Sequence, residues 1–178
     1  GYGRSIVGTV SGTGISFGSA TTFDANSYSN NISSCYDSTN NKVIVVFRDQ
    51  GNSNYGTARV GTVSGTSISF GTAAVFNTED TQGMSGGCVA EDVNAQKIII
   101  AGDGASGGMV VSGTVSGTDI TFDTPITTDV GAGENKVIYD SSSNKVALTY
   151  QAESNSYKCV AQMTTYGDLP LTTGTKYY

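Results

Sequence analysis

Apolar residues in this chain alternate with Gly, Ser, Thr and Asn in short blocks, and helical spacing never persists beyond one turn. Residues 32–37 alternate and close on the turn Asp37-Ser38-Thr39-Asn40-Asn41. Lys42 to Asp49 follows, with the unbroken run Val43-Ile44-Val45-Val46-Phe47, the pattern of a strand buried on both faces. Gln50-Gly51-Asn52-Ser53-Asn54 is all turn chemistry. A third strand is predicted over residues 55–63, a hairpin at Ser64-Gly65-Thr66, and a fourth strand over 67–70 that continues through Ala74-Val75-Phe76. Four short antiparallel strands joined by tight turns make a meander sheet, and essentially no helix is expected.

The unit repeats. Gly-Thr-Val-Ser-Gly-Thr occurs at residues 8–13, 61–66 and 113–118, 53 and then 52 residues apart, each copy leading into an Ile-Ser/Thr-Phe segment. The first hairpin recurs as Asp92 to Ile100 and as Asp140 to Leu148, with the same interval from Asp to Lys. Asp at the start of such a turn accepts hydrogen bonds from backbone amides just downstream. The expected fold is all-β: four-stranded antiparallel meanders of about 50 residues in a β-propeller-like array. One repeat domain spans 1–178, with units at 1–30 (partial), 31–83, 84–134 and 135–178. Strand counting gives about 3.5 blades, whereas rings close with roughly four to eight. Two chains completing one ring, further sequence, or sheets stacked in a fibre would each resolve this. A fourteen-stranded sandwich fits the regular period less well.

Composition narrows the partners. Hydrophobic residues make up 37% and charged residues 13%, with 24 glycines, two prolines and no tryptophan or histidine, as in a turn-dense β protein rather than a disordered one. A net charge of −6 and a pI near 4.4, without any basic run, argue against nucleic acid. No apolar stretch is long enough for membrane insertion as a helix. No signal peptide is evident. The opening Gly1-Tyr2-Gly3 aligns with Asn54-Tyr55-Gly56, inside a unit, and leads to the expectation of a processed product or part of a longer chain, or of completion by a second copy. Cys35, Cys88 and Cys159 cannot all pair and are expected to be buried free thiols.

Chemistry is sparse. Without histidine there is no Ser-His-Asp or Cys-His arrangement, and zinc ligation is reduced to thiols and carboxylates. Arg4, Arg48 and Arg59 are the only arginines, too dispersed for a sialidase-type cluster. The turns at Asp37 and Asp140 offer one carboxylate each, below what calcium requires. Gly102 to Gly108 is read as a loop, since no helix follows to make a phosphate cradle. No cofactor, metal or catalytic residue is assigned, and the chain is expected not to be an enzyme. Tyr36 and Tyr139 correspond in the first strand, and Tyr2, Tyr55 and Tyr157 in the third, a mark of packing more than recognition. Departures from the repeat are better contact candidates: Tyr28, Arg48, Asp49, Asn52, Glu79 and Asp80, with the loop running on through Thr81 and Gln82.

Residues 55–71, Tyr-Gly-Thr-Ala-x-Val-Gly-Thr-Val-Ser-Gly-Thr-x-Ile-Ser-Phe-Gly, resemble repeats of large virion-associated proteins of marine bacteriophages. Gly167 to Tyr178 resembles a segment that follows such repeats and leads into a small β-rich region. The first and third copies depart from the pattern at Gly3-Arg4-Ser5-Ile6 and at Met109-Val110-Val111-Ser112. The resemblance implies a tail or fibre-type structural component, virion-borne and extracellular after assembly in host cytoplasm. Its partners would be other copies or neighbouring structural subunits, with cell-surface glycan as an adhesive target. A lectin-like glycan-binding propeller acting as a homo-oligomer is the alternative, and it calls for matched polar residues at equivalent loops.

Overall fold

A computed structural model describes residues 1–25, 28–84, 86–128, 132–152, 158–164 and 176–177. Among these there is no α-helix, only a 3-10 turn at Gln50–Asn52, and hence no helix long and apolar enough to cross a membrane. All strand pairing is antiparallel, in sheets of two to five strands.

The first unit holds β1 (Gly3–Ser5), β2 (Gly8–Ser11), β3 (Gly14–Phe17) and β4 (Thr21–Asp24), paired as two ribbons, β1 with β4 and β2 with β3. The second comprises β5 (Ser29–Asp37), β6 (Lys42–Asp49), β7 (Tyr55–Ser64), β8 (Ser67–Phe70) and β9 (Ala74–Asn77), ordered β5-β6-β7-β8 with β9 also on β7. The third repeats this with β10 (Val89–Asp92), β11 (Lys97–Gly104), β12 (Gly107–Ser116), β13 (Asp119–Phe122) and β14 (Ile126–Thr127). The fourth is β15 (Ala132–Asp140), β16 (Lys145–Ala152), β17 (Lys158–Thr164) and β18 (Lys176–Tyr177). Among the described residues these sheets close no ring.

The all-β meander expected from the sequence is present, with four corrections. The fourth strand predicted over 67–76 is interrupted: β8 pairs with the second half of β7, and β9 with its first half. In the first unit the stretch equivalent to the third strand is likewise split, into β1, which pairs with β4, and β2, which pairs with β3. Gly102 to Gly108 is not an open loop but hairpin, β11 and β12 pairing from Ile98↔Gly113 up to Gly104↔Gly107. In the fourth unit Lys158 pairs with Ala152 as Tyr55 pairs with Asp49, which moves the third strand one residue from the alignment that matched Tyr157 to Tyr55. Tyr157 itself lies outside the described residues.

The unbroken apolar run of β6 is explained by its neighbours. Ile44 and Val46 join a cluster with Ile98, Ile100, Met109 and Val111 of the third unit, while Val43, Val45 and Phe47 gather with Phe23 of the first. β11 does the same: Ile98 and Ile100 face the second unit, and Ile99 and Ala101 face Val137, Val146 and Leu148 of the fourth. The sheets therefore stack face to face. Their first strands lie against one another, β5 on β10 and β10 on β15, and their outer strands also touch, β8 on β4 and β13 on β7 and β9.

The repeated phrase encodes this stacking. Gly12, Gly65 and Gly117 open two-residue hairpin loops with φ of 59°, 58° and 63°, which glycine adopts without steric cost. The glycine after each Phe serves the boundary between units. A methyl group on Gly18 would overlap the carbonyl of Thr66, and one on Gly71 the carbonyl of Thr118, so each unit's hairpin tip rests on the preceding unit's glycine. Phenylalanines meet across the same boundary, Phe23 with Phe70 at 5.8 Å and Phe76 with Phe122 at 5.5 Å between ring centroids. In the third unit Asp123 replaces the glycine, and its carboxylate accepts from Ser112 Oγ (2.6 Å) instead.

Gly71→Ala is expected to destabilise the fold by about 2–3 kcal/mol through backbone overlap. Gly14→Ala, whose nearest atom would be Ser11 O at 3.6 Å, is expected to be near neutral, within about 0.5 kcal/mol. Urea denaturation of both variants measures the contrast.

Candidate functional site

The loops at one end of the second and third sheets form a continuous rim that carries the residues singled out in the sequence. The amide of Gln50 donates to Tyr28 O (3.1 Å), that of Thr81 to Asn54 O (3.0 Å), and Gln82 and Asp103 exchange amide–carbonyl bonds (2.6 and 2.9 Å). Tyr28 is exposed, as is Asn52 in the 3-10 turn. Arg48 directs Nε and a terminal nitrogen onto Asp80 Oδ1 at 2.8 and 2.7 Å, tying β6 to the loop after β9. Asp49 is buried and accepts from the amide of Gly51 (2.9 Å), capping the 3-10 turn. Glu79 reaches into the next unit, where Oε2 accepts from the amide of Ser106 (2.9 Å) and Oε1 from its hydroxyl (2.7 Å). Those bonds hold its carboxyl below the usual range.

The six residues thus share one end of the molecule, but four of them, Arg48, Asp49, Glu79 and Asp80, are engaged in holding loops. A pocket of about 200 Å³ opens beside Glu79, between Asn77 and Thr78 on one side and Ser106, Met109 and Pro125 on the other. None of its lining residues is aromatic, so it lacks the flat apolar face on which a sugar ring would stack.

At the opposite end sit the tight turns. Asp37 Oδ1 accepts from the amide of Asn40 (3.0 Å), Asp92 Oδ1 from that of Ala95 (2.9 Å) and Asp140 Oδ1 from that of Ser142 (3.0 Å). Each turn ends on a left-handed residue, Asn41, Gln96 or Asn144. The carboxylates considered for calcium are therefore committed to their own turns. Hydrogen bonds from Ser142 and Ser143 lower the Asp140 pKa to about 2. Among the described residues no three acidic or thiol side chains are placed to hold a metal. The corresponding tyrosines do equivalent work: Tyr36 donates to Asn41 Oδ1 (2.8 Å) and Tyr139 to Asn144 Oδ1 (3.0 Å).

Glu91 takes the tyrosine's place in the third unit, and the sequence reading passed over it. Its carboxylate leaves its own turn and accepts from the amides of Ser38 (2.8 Å) and Thr39 (3.0 Å) and from Thr39 Oγ1 (2.8 Å), clamping the preceding unit's turn. Burial pushes its pKa up, but these donors outweigh burial and the net shift is downward. The departure from tyrosine at that register was the available signal.

The thiols correct one expectation. Cys88 is buried and Cys35 half-buried, but Cys159 is exposed. Burial, then the Asp37 and Glu91 carboxylates, push Cys35 up to about 12, and burial also raises Cys88. Neither has a thiolate's reactivity near neutral pH.

No family model, no curated protein and no solved structure matches this chain.

Glu91→Gln is expected to cost about 1–2 kcal/mol at neutral pH, because charge-assisted bonds to the neighbouring turn are weakened. Glu91's folded pKa is lowered, so its contribution is present above the ordinary value of 4.5 and is lost as pH falls through the folded value. Denaturation curves across that acid range should show a smaller loss in the variant than in the parent. A thiol reagent at pH 7 should modify Cys159 rapidly and leave Cys35 and Cys88 until the chain unfolds; rapid labelling of Cys35 in a folded sample would refute the burial argument.

Proposed function

We propose that the chain is a non-enzymatic structural and adhesion component of a phage particle, of tail or fibre type, presenting a β-propeller-like module. The observation that carries this reading is the face-to-face stacking of repeated meanders, each inner sheet buried on both sides. The gathering of first strands along one edge supports the propeller-like reading, because blades set around an axis would bring their first strands together in that way. A stack of this kind hides most strand edges and leaves little for proteases to open, which suits a particle exterior. The loop carboxylates support a non-catalytic role: Glu79, Asp80, Asp49 and Glu91 are each held by donors of the fold. The resemblance of residues 55–71 to phage virion repeats supplies the setting.

Immunogold electron microscopy on purified particles from a lysate that contains this chain tests the proposal. Gold on the exterior appendages, with binding of the purified chain to host cells, is the expected result. Particles free of the chain by labelling and by mass spectrometry would overturn it.

A further inference from the structure

The boundary between the second and third units opens at the rim where their connections differ. The β11–β12 hairpin puts two residues between Gly104 and Gly107, where the β6–β7 connection puts five between Asp49 and Tyr55. Gly107 stands at the register of Tyr55 and in step with Met109 and Val111, which face the second unit. That face therefore lacks a large side chain at the rim, and the pocket of about 200 Å³ beside Glu79 lies there. Gly104 lets the glutamate in: a methyl group on it would lie 2.7 Å from Glu79 Oε2 and 3.2 Å from Asn77 Nδ2. The glycine run that makes no phosphate cradle thus shapes a cavity.

One side of the cavity is charged and another apolar. Ser106 takes one site on each oxygen of the Glu79 carboxylate, and each oxygen keeps a further acceptor site. Ion pairs among the described residues join Arg48 to Asp80, Lys97 to Asp123 and Lys136 to Glu134, and none reaches Glu79. Met109 and Pro125 supply the apolar wall, with Thr127 exposed beside them. An anion would meet the Glu79 charge in a chain of net charge −6. Without an aromatic ring the cavity offers neither a platform for a sugar nor a cage for a quaternary ammonium. A guanidinium grips a carboxylate through both oxygens, and Ser106 already fills that fork. A primary ammonium is a compact point charge with three donors, and an aliphatic stem suits the methionine and proline wall.

We propose that this cavity takes a primary ammonium group on a short aliphatic stem, of the kind a lysine side chain presents, with the ammonium on Glu79 and the stem along Met109 and Pro125. The second unit contributes the carboxylate and the third the apolar wall, so the site exists only while the two units are stacked. It goes beyond the structural reading above by giving an exterior module a specific contact. Many copies on one particle would multiply a weak affinity.

NMR titration of the 178-residue chain with Nα-acetyl-lysine methylamide is the test. The amides of Ser106 and Gly107 should shift with a dissociation constant on the order of 1–10 mM, since an ion pair open to water adds little. The norleucine and arginine counterparts of that probe should bind at least about threefold more weakly, and Glu79→Gln should weaken the lysine probe about fivefold. Thr127→Lys, on an exposed wall residue away from the Ser106 clamp, should abolish the response by supplying an ammonium from within the chain. Both variants are checked for native circular dichroism. n-Butylamine matching the lysine probe would mean that the amine alone is read, and a weaker response that the flanking peptide is read too. No shift, equal binding of the norleucine or arginine probe, or binding unchanged in both variants would overturn the site. Amine binding by a chain that particles lack would keep the site and remove the phage setting. Labelled particles with a chain that binds no amine would do the reverse.

Discussion

Sheet-on-sheet packing is the constraint on which the rest of this structure depends. A four-stranded meander buries little by itself, since a lone sheet leaves both faces to water. Here β6 and β11 put apolar side chains on both faces, and neighbouring units cover each. Stability is thereby shared between units, which explains why the recurring residues gather at the boundaries. The glycine–carbonyl contact and the paired phenylalanines set how closely successive sheets approach, and a side chain in place of Gly18 or Gly71 would hold the outer strands apart.

Polar groups are distributed to serve the same stacking. Glu91 reaches back to the second unit's turn and Glu79 reaches forward to the third unit's hairpin, so two carboxylates lock one boundary at its two ends. Both satisfy backbone amides that a face-to-face stack would otherwise leave competing for water. The consequence for function is direct. Acidic side chains that resemble a site in the sequence act as clamps, whereas Tyr28 and Asn52 stand exposed on the rim.

The boundary between the third and fourth units is built differently. Asp123 stands where glycine stands earlier, and contact runs through β10, β11 and β15, with the amide of Val137 donating to Gly87 O (2.7 Å). Among the described residues the inner edges of the sheets hold this boundary, and an aspartate stands at the position that glycine occupies in the other two.

Much of the fold was legible in the sequence because its strand pairing is local. The alternation of residues 32–37, the Asp-initiated turns before Lys42, Lys97 and Lys145, and the unbroken run at β6 each report on neighbours a few residues away. The spacing of the glycine phrase likewise set the period, since each copy opens the same hairpin about fifty residues after the last. Pattern alone could not say which residue meets which across a boundary, because those partners lie about fifty residues apart and depend on how sheets settle against each other. Only the tertiary structure broke the fourth strand between Phe70 and Ala74, left Cys159 exposed, and turned Glu91 from its own turn to its neighbour's. It also separated the candidate residues into loop ties and free surface, since hydrogen-bond commitment depends on three-dimensional proximity. The apolar residues Val10, Ile15 and Phe17 of the first unit follow the same sequence pattern as their counterparts in later units, and their burial is set by what packs on them.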